Sequence, residues 1–250
     1  MDITKEMVEI QTSDGPMATA LCRPADGAPR PAVIVAQEAF GLTPHIIDVA
    51  RRLAREGYVA AAPDFFHRAG RILTAPYDRL AEFRDSLRKD FSDDSIVMDV
   101  AAAVQHLQAG GQASGPIGIV GFCMGGRVAY LAAAKVEGLA AAAMFYGGNL
   151  LPPDNAPHGT PSGLDLASKI SIPLAGFFGE EDANPSPIHA ARLSDELTRY
   201  GVKHTFHSYA NAGHGFFCDD RDSYRASAAS DAWQKTRTFF AKHLRAPVLS

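Results

Sequence analysis

The stretch Ile117-Gly118-Ile119-Val120-Gly121-Phe122-Cys123-Met124-Gly125-Gly126-Arg127 decides the fold. Its apolar start reads as a short buried strand and the segment Arg127 to Ala134 as a helix, so Cys123 falls on the turn that joins them. A nucleophile held on such a turn sits at a sharp elbow. The residues two before and two after it nearly touch there, and Gly121 and Gly125 supply the missing bulk. The pattern is the hydrolase G-x-S-x-G with sulfur in place of oxygen. The first amides of the helix face the thiol, and the positive end of the helix dipole favours a thiolate and a developing oxyanion. Two other readings fit the same residues: a cysteine that only packs, and a glycine-rich turn that binds phosphate. Partners elsewhere in the chain decide among the three.

An elbow nucleophile needs an acid and then a histidine, in that order and beyond the ends of later strands. The run Ile172 to Phe178 reads as a strand, and Gly179-Glu180-Glu181-Asp182-Ala183-Asn184-Pro185 follows as a loop of turn formers. Asp182 is the predicted acid. Glu180 and Glu181 compete for that role, but the shorter aspartate lies deeper in the loop, beside the Asn184-Pro185 break. His204 to Tyr209 reads as the last strand, and Asn211-Ala212-Gly213-His214-Gly215-Phe216 as the loop after it. His214 is the predicted base, because a loop histidine between two glycines is free to reach the elbow. His204 and His207 lie inside the strand pattern, where a satisfied core or surface histidine is the commoner case.

Gln37-Glu38-Ala39-Phe40-Gly41 after the strand Ala32 to Val35, the cysteine elbow, the loop around Asp182, and Ala212-Gly213-His214-Gly215-Phe216 together resemble the dienelactone hydrolase family. The resemblance runs from about Met7 to His243. It implies an α/β-hydrolase fold with Cys123 as nucleophile, His214 as base, Asp182 as its orienting partner, and Glu38 as a carboxylate that meets the thiol. It also implies an oxyanion hole from the backbone amides of Met124 and Ala39, and a small lactone or carboxylic ester as substrate, with no cofactor and no metal. A carboxylate at the end of a buried strand resists ionisation and can exchange a proton with a thiol. The alternative for Glu38 is a side chain that only accepts hydrogen bonds from loop amides.

Family members that cleave dienelactones bind the substrate carboxylate with arginines. Where their pattern has an arginine four residues after the histidine, this chain has Cys218, which keeps a broader carboxylesterase or thioesterase open. Phe40, Phe216, Arg84 and Arg221 are the residues expected to touch the substrate. Arg71, Arg79 and Arg225 are further candidates, and for every one of these arginines a solvated surface position is the competing reading. A different class of function, a thiol sensor or a ligand-binding scaffold, would need a resolving cysteine, for which Cys218 is the candidate.

Composition agrees independently. With 250 residues, 46% of them hydrophobic, the chain can bury one sizeable core, and a single domain over 1–250 is expected. A formal net charge of -4 argues against a nucleic-acid footprint and for small-molecule chemistry. Three widely spaced cysteines, Cys22, Cys123 and Cys218, suit neither a disulfide framework nor a metal site. The first residues carry no basic segment leading into an apolar run, and no stretch is long and apolar enough for a bilayer. A cytoplasmic monomer or weak homo-oligomer is expected.

Strand and helix patterns alternate along the chain, which predicts a mostly parallel sheet covered on both faces. Met7–Thr12 and Ala18–Arg23 flank Ser13-Asp14-Gly15-Pro16 as an antiparallel hairpin at one edge. Strands are predicted at 31–37, 58–62 and 140–146, and helices at about 44–56, 77–89, 93–108 and 223–244. In the last helix Ala226, Ala229, Trp233, Thr236 and Phe240 form the expected core stripe. The turn-rich segment Pro63 to Pro76 is a candidate wall for a pocket.

Overall fold

The computed structural model describes residues 1–70, 74–87, 91–111, 113–152, 157, 160 and 162–244, and of Arg84, Ser86 and Leu87 only the backbone. Eight strands form one sheet: β1 (Ile3–Thr12), β2 (Gly15–Pro24), β3 (Arg30–Ala36), β4 (Val59–Pro63), β5 (Ala113–Phe122), β6 (Leu139–Phe145), β7 (Leu174–Gly179) and β8 (His204–Tyr209). Their spatial order is β1-β2-β4-β3-β5-β6-β7-β8. β1 and β2 make the antiparallel hairpin at one edge, and β2 joins β4 antiparallel. From β4 to β8 every pairing is parallel, so their carboxyl ends share one edge, where open α/β sheets place their sites.

Alternation along the central strands produces two apolar layers. Ala32, Ile34, Ile117 and Ile119 face the helices α3 (Asp93–Ala109), α4 (Met124–Lys135) and α5 (Pro187–Arg199). Val33, Val35, Val120 and Phe122 face α1 (Pro44–Arg55) and α6 (Ala226–Leu244) on the other side. Both faces of the central strands are covered, which is why they read as continuous apolar runs and not as alternating ones. Local signals start the helices. Thr43 caps α1 ahead of Pro44, and Ser92 and Ser95 form a reciprocal capping box on α3.

The predicted fold class and strand order along the chain match these elements, and the differences are local. β5 begins at Ala113, because the chain pairs with Arg30 before a bulge brings Ile117 opposite Ala32. The short helix α2 (Leu80–Leu87) starts at Leu80 and not at Tyr77, since a turn from Pro76 to Arg79 precedes it, and the expected end at 88–89 lies outside the described residues. α6 starts at Ala226, after Arg225 closes the preceding loop onto the Phe216 carbonyl; Ala226 is exposed and Ala232 and Leu244 complete the stripe instead. α5 carries a serine cap and Pro187 in its first turn, a start signal that the periodicity alone does not reveal.

The segment after β4 is anchored by buried charge. Arg68 makes a bidentate pair with the fully buried Asp99 of α3, at 2.7 and 2.9 Å, and also reaches Asp14 in the β1–β2 turn. Phe66 from this segment meets Phe91, just before α3, with ring centroids 5.4 Å apart. Residues 71–73, including Arg71, lie outside the described residues.

Candidate active site

The elbow is as tight as the glycine spacing implies. Cys123 has φ 55° and ψ -116°, a backbone position that a non-glycine residue holds only under strain. Its amide donates to the Phe145 carbonyl and its own carbonyl accepts from Gly126 and Arg127, so both sides of the turn are tied down. A side chain on Gly121 would collide with the Gly125 carbonyl, and one on Gly125 with the carbonyls of Ala36 and Gln37. Gly125→Ala should therefore push α4 away from β3 and destabilise the chain by at least about 3 kcal/mol, at the upper end of overpacking costs. Urea unfolding of the variant checks this, and an unchanged midpoint would remove the close approach as the reason for the glycine.

The acid and histidine loops are fixed to each other before they reach the cysteine. The Glu180 and Glu181 amides donate to the carbonyls of Tyr209 and Ala212, at 3.0 and 2.9 Å. Asp182 Oδ1 accepts from the Asn184 amide at 2.8 Å, while Oδ2 is 2.9 Å from His214 Nδ1. The aspartate is almost fully buried and the histidine is about a third exposed. Burial opposes a charge on His214, but hydrogen bonds to Asp182 and to Cys123 outweigh it and push the imidazole up to about 10. The ring also rests edge-on against Tyr146, at 5.1 Å. Glu180 and Glu181 point into solvent, His204 is bonded to Ser194 and the Val202 carbonyl, and His207 stacks on Phe177.

Glu38 follows β3 and its side chain is completely buried. Oε1 accepts from Arg221 Nη1 at 3.3 Å, and Oε2 has no hydrogen-bond partner among the described residues. Burial raises the carboxyl above its ordinary range, against the opposing pull of His45, Arg221 and His214. No loop amide donates to this carboxylate among the described residues, so its surroundings differ from those of a loop-fixing glutamate.

Cys123, Asp182 and His214 open on one cavity of about 550 Å³. Phe91, Ile96, Met124, Val128 and Leu131 give it an apolar wall, and Ala39 contributes from the β3 side. Met124 is the first residue of α4, whose amide has no partner within the helix, and the Ala39 amide makes no hydrogen bond to a described residue. Asn149 and Asn184 clasp each other across its rim, amide to carbonyl oxygen at 2.7 Å in one direction and backbone amide to side chain at 3.0 Å in the other.

The expected substrate contacts are distributed differently. Phe216 is fully buried behind Tyr146 and belongs to the core, and Phe40 packs with Phe66, Ala75 and Tyr77 outside the cavity lining. Arg221 bonds Glu38, lies over the rings of Phe40 and Tyr77, and lines a separate pocket with Asp78, Asp220 and Asp222 instead of the Cys123 cavity. Arg225 staples its own loop through carbonyls, Arg79 pairs with Glu82 at the surface, and the Arg84 side chain lies outside the described residues. The cation that does line the cavity is Arg127, paired with Asp93 at 2.5 Å. Its position one helical turn after the nucleophile is a signal the sequence carried. The three cysteines are free thiols; Cys218 is buried and donates to the Tyr77 hydroxyl at 3.4 Å.

A mostly parallel sheet with helices on both faces and a strand-elbow-helix turn at β5, followed by acid and histidine loops after β7 and β8, defines an α/β-hydrolase. The comparisons narrow this further. The sequence model of the dienelactone hydrolase family matches residues 17–244, and the chain belongs to that family, as a hydrolase of the lactone and ester type. A Synechocystis protein named "putative carboxymethylenebutenolidase" is 36% identical over 98% of this chain and 99% of its own length. One of the same name from Methylorubrum extorquens is 32% identical over 94% of this chain and 80% of its own. The crystal structure of a "putative dienelactone hydrolase" from Klebsiella pneumoniae superposes with a TM-score of 0.85 at 30% identity, covering 97% of this chain and all of the other. No described helix is long and apolar enough to cross a membrane.

Proposed function

We propose that the chain hydrolyses small lactones or carboxylic esters through a Cys123–His214–Asp182 triad and an acyl-enzyme. The observation that carries this reading is the 2.9 Å contact of Asp182 with His214, on the same cavity as the strained elbow thiol. Glu38 takes the proton of the Cys123 thiol, and the thiolate attacks the substrate carbonyl. The amides of Met124 and Ala39 hold the oxyanion. Collapse expels the alkoxide, which takes a proton from the His214 imidazolium and leaves a thioester on Cys123. Neutral His214 then draws a proton from water as its oxygen attacks, the carboxylic acid departs, and the thiolate recovers its proton from Glu38. Asp182 keeps the ring in the tautomer that presents Nε2 to the reaction.

The relatives' name makes unsaturated lactones the first substrates to try. The apolar cavity wall, with Arg127 paired to Asp93 and Arg221 outside the lining, favours neutral esters as a wider range. Three free thiols suit a reducing compartment, which we take to be the cytoplasm. Acid quench of the chain during turnover of an aryl ester, followed by mass spectrometry, is expected to show the acyl mass on the peptide carrying Cys123. Turnover with no adduct on that peptide, or with the adduct elsewhere, would overturn the covalent route.

A further inference from the structure

Two helices begin at the cavity, and each brings one charge to it. Asp93 is the first residue of α3, where the helix dipole favours an anion, and Arg127 lies in the first turn of α4, where the same dipole disfavours a cation. Helix stability therefore gives no reason for an arginine at this place. Nη2 of Arg127 donates to Oδ2 of Asp93 at 2.5 Å, and its Nε and Nη1 donate to no described residue. Apart from Cys123, Asp182 and His214, these are the ionisable residues among the described cavity lining. The next pair between the same helices, Asp94 with Lys135 at 3.3 Å, lies outside the lining. Arg127 is a quarter exposed and Asp93 about half, so their attraction adds little to the seating of α3 on α4, which rests on the apolar layer that holds Ile96, Val100, Val128 and Ala132.

We propose that Asp93 and Arg127 set the charge preference of the reaction: the paired carboxylate cancels the guanidinium, so the cavity takes uncharged lactones and esters and disfavours those that carry a carboxylate or an ammonium group. The inference rests on hydrolysis at Cys123 and names the substrate class of that site. A substrate acylating Cys123 lies in the same cavity as the pair. An arginine there without Asp93 would bind a substrate carboxylate through its open N–H groups. Asp93 opposes this in two ways, by holding Nη2 and by repelling a second carboxylate. Without Arg127, Asp93 would in turn attract a substrate cation. The pair is thus the element on which discrimination between substrates of one shape and different charge depends.

The test compares kcat/KM at neutral pH for para-nitrophenyl esters of one shape, whose acyl chains end in a carboxylate, an isopropyl or a dimethylammonium group. Each charged ester is expressed as a ratio to the isopropyl ester, so that a general loss of activity cancels. Asp93→Asn is expected to raise the carboxylate ratio about tenfold, mainly through KM, and Arg127→Gln to raise the ammonium ratio by a similar factor. The double variant should return both ratios to near the parental values. Ratios that stay within about twofold of the parent in both single variants, while the isopropyl ester is turned over, overturn the role of the pair and leave hydrolysis standing. A second readout needs no turnover. Iodoacetate and iodoacetamide differ almost only in charge, so the ratio of their rates at Cys123, by peptide mapping of the full chain, should rise in Asp93→Asn, fall in Arg127→Gln and return in the double variant. If the parent cleaves none of the esters, the hydrolytic reading falls and this ratio alone decides: the same order supports the charge role, and equal ratios overturn it.

Discussion

Cys123→Ala is expected to lower kcat for an aryl ester by about 10⁴- to 10⁶-fold while the chain keeps its fold, the scale on which removal of a covalent nucleophile acts. The elbow bonds run through backbone atoms of residue 123, which alanine retains, and alanine adds no bulk to a turn already closed against Gly121 and Gly125. Circular dichroism and thermal unfolding should therefore stay close to those of the parent. Turnover of a folded variant at the parental rate would show that the thiol takes no part. Cys123→Ser should also lose most activity, because Glu38 and His214 are matched to a thiol and a hydroxyl is a far weaker acid.

His214→Ala is expected to lower kcat by roughly 10²- to 10⁴-fold, and Asp182→Asn by no more than that. The aspartate acts through the ring it orients, so its loss cannot cost more than loss of the ring unless the substitution also unseats the loop. Stability gives a second readout with a fixed sign. His214 is raised from 6.5 to about 10 by its partners, so folding favours the protonated ring. That contribution is complete below pH about 6.5 and is lost as pH rises through about 10. Urea unfolding should thus show the parent losing more stability than His214→Ala between pH 6 and pH 10. Parallel losses in the two proteins would mean that the ion pair does not form.

Much of the architecture was legible because its signals are local. Glycines at 121 and 125 are demanded by a backbone contact between neighbouring turns, and the order of cysteine, acid and histidine follows from strands that all end at one edge of the sheet. The choice of Asp182 over Glu180 and Glu181 was open to reasoning for the same cause, since depth in a short loop governs reach. What the chain did not disclose depends on packing between distant segments. Arg221 reads as a pocket arginine until Glu38, 183 residues away, is seen to hold it. Phe216 reads as a contact residue by its place beside His214, yet the loop runs buried from Gly215 to Cys218 and packs its ring into the core behind Tyr146. Asn149 and Asn184 join two loops 35 residues apart, and no spacing announces such a pair.

The anchoring of Arg68 in Asp99 separates two kinds of inheritance in this molecule. The groups proposed to react stand at the ends of β3, β5, β7 and β8, whereas Phe91 and Ile96 of the cavity wall come from the interval between β4 and β5, where that buried ion pair ties the segment after β4 to α3. The interval can lengthen, shorten or change its side chains while both ends stay moored and the sheet goes on carrying the same chemistry. Descendants of such a chain can drift in diet without relearning how to cut. Loss of Asp99 would leave Arg68 without its buried partner and loosen the tie between the segment after β4 and α3.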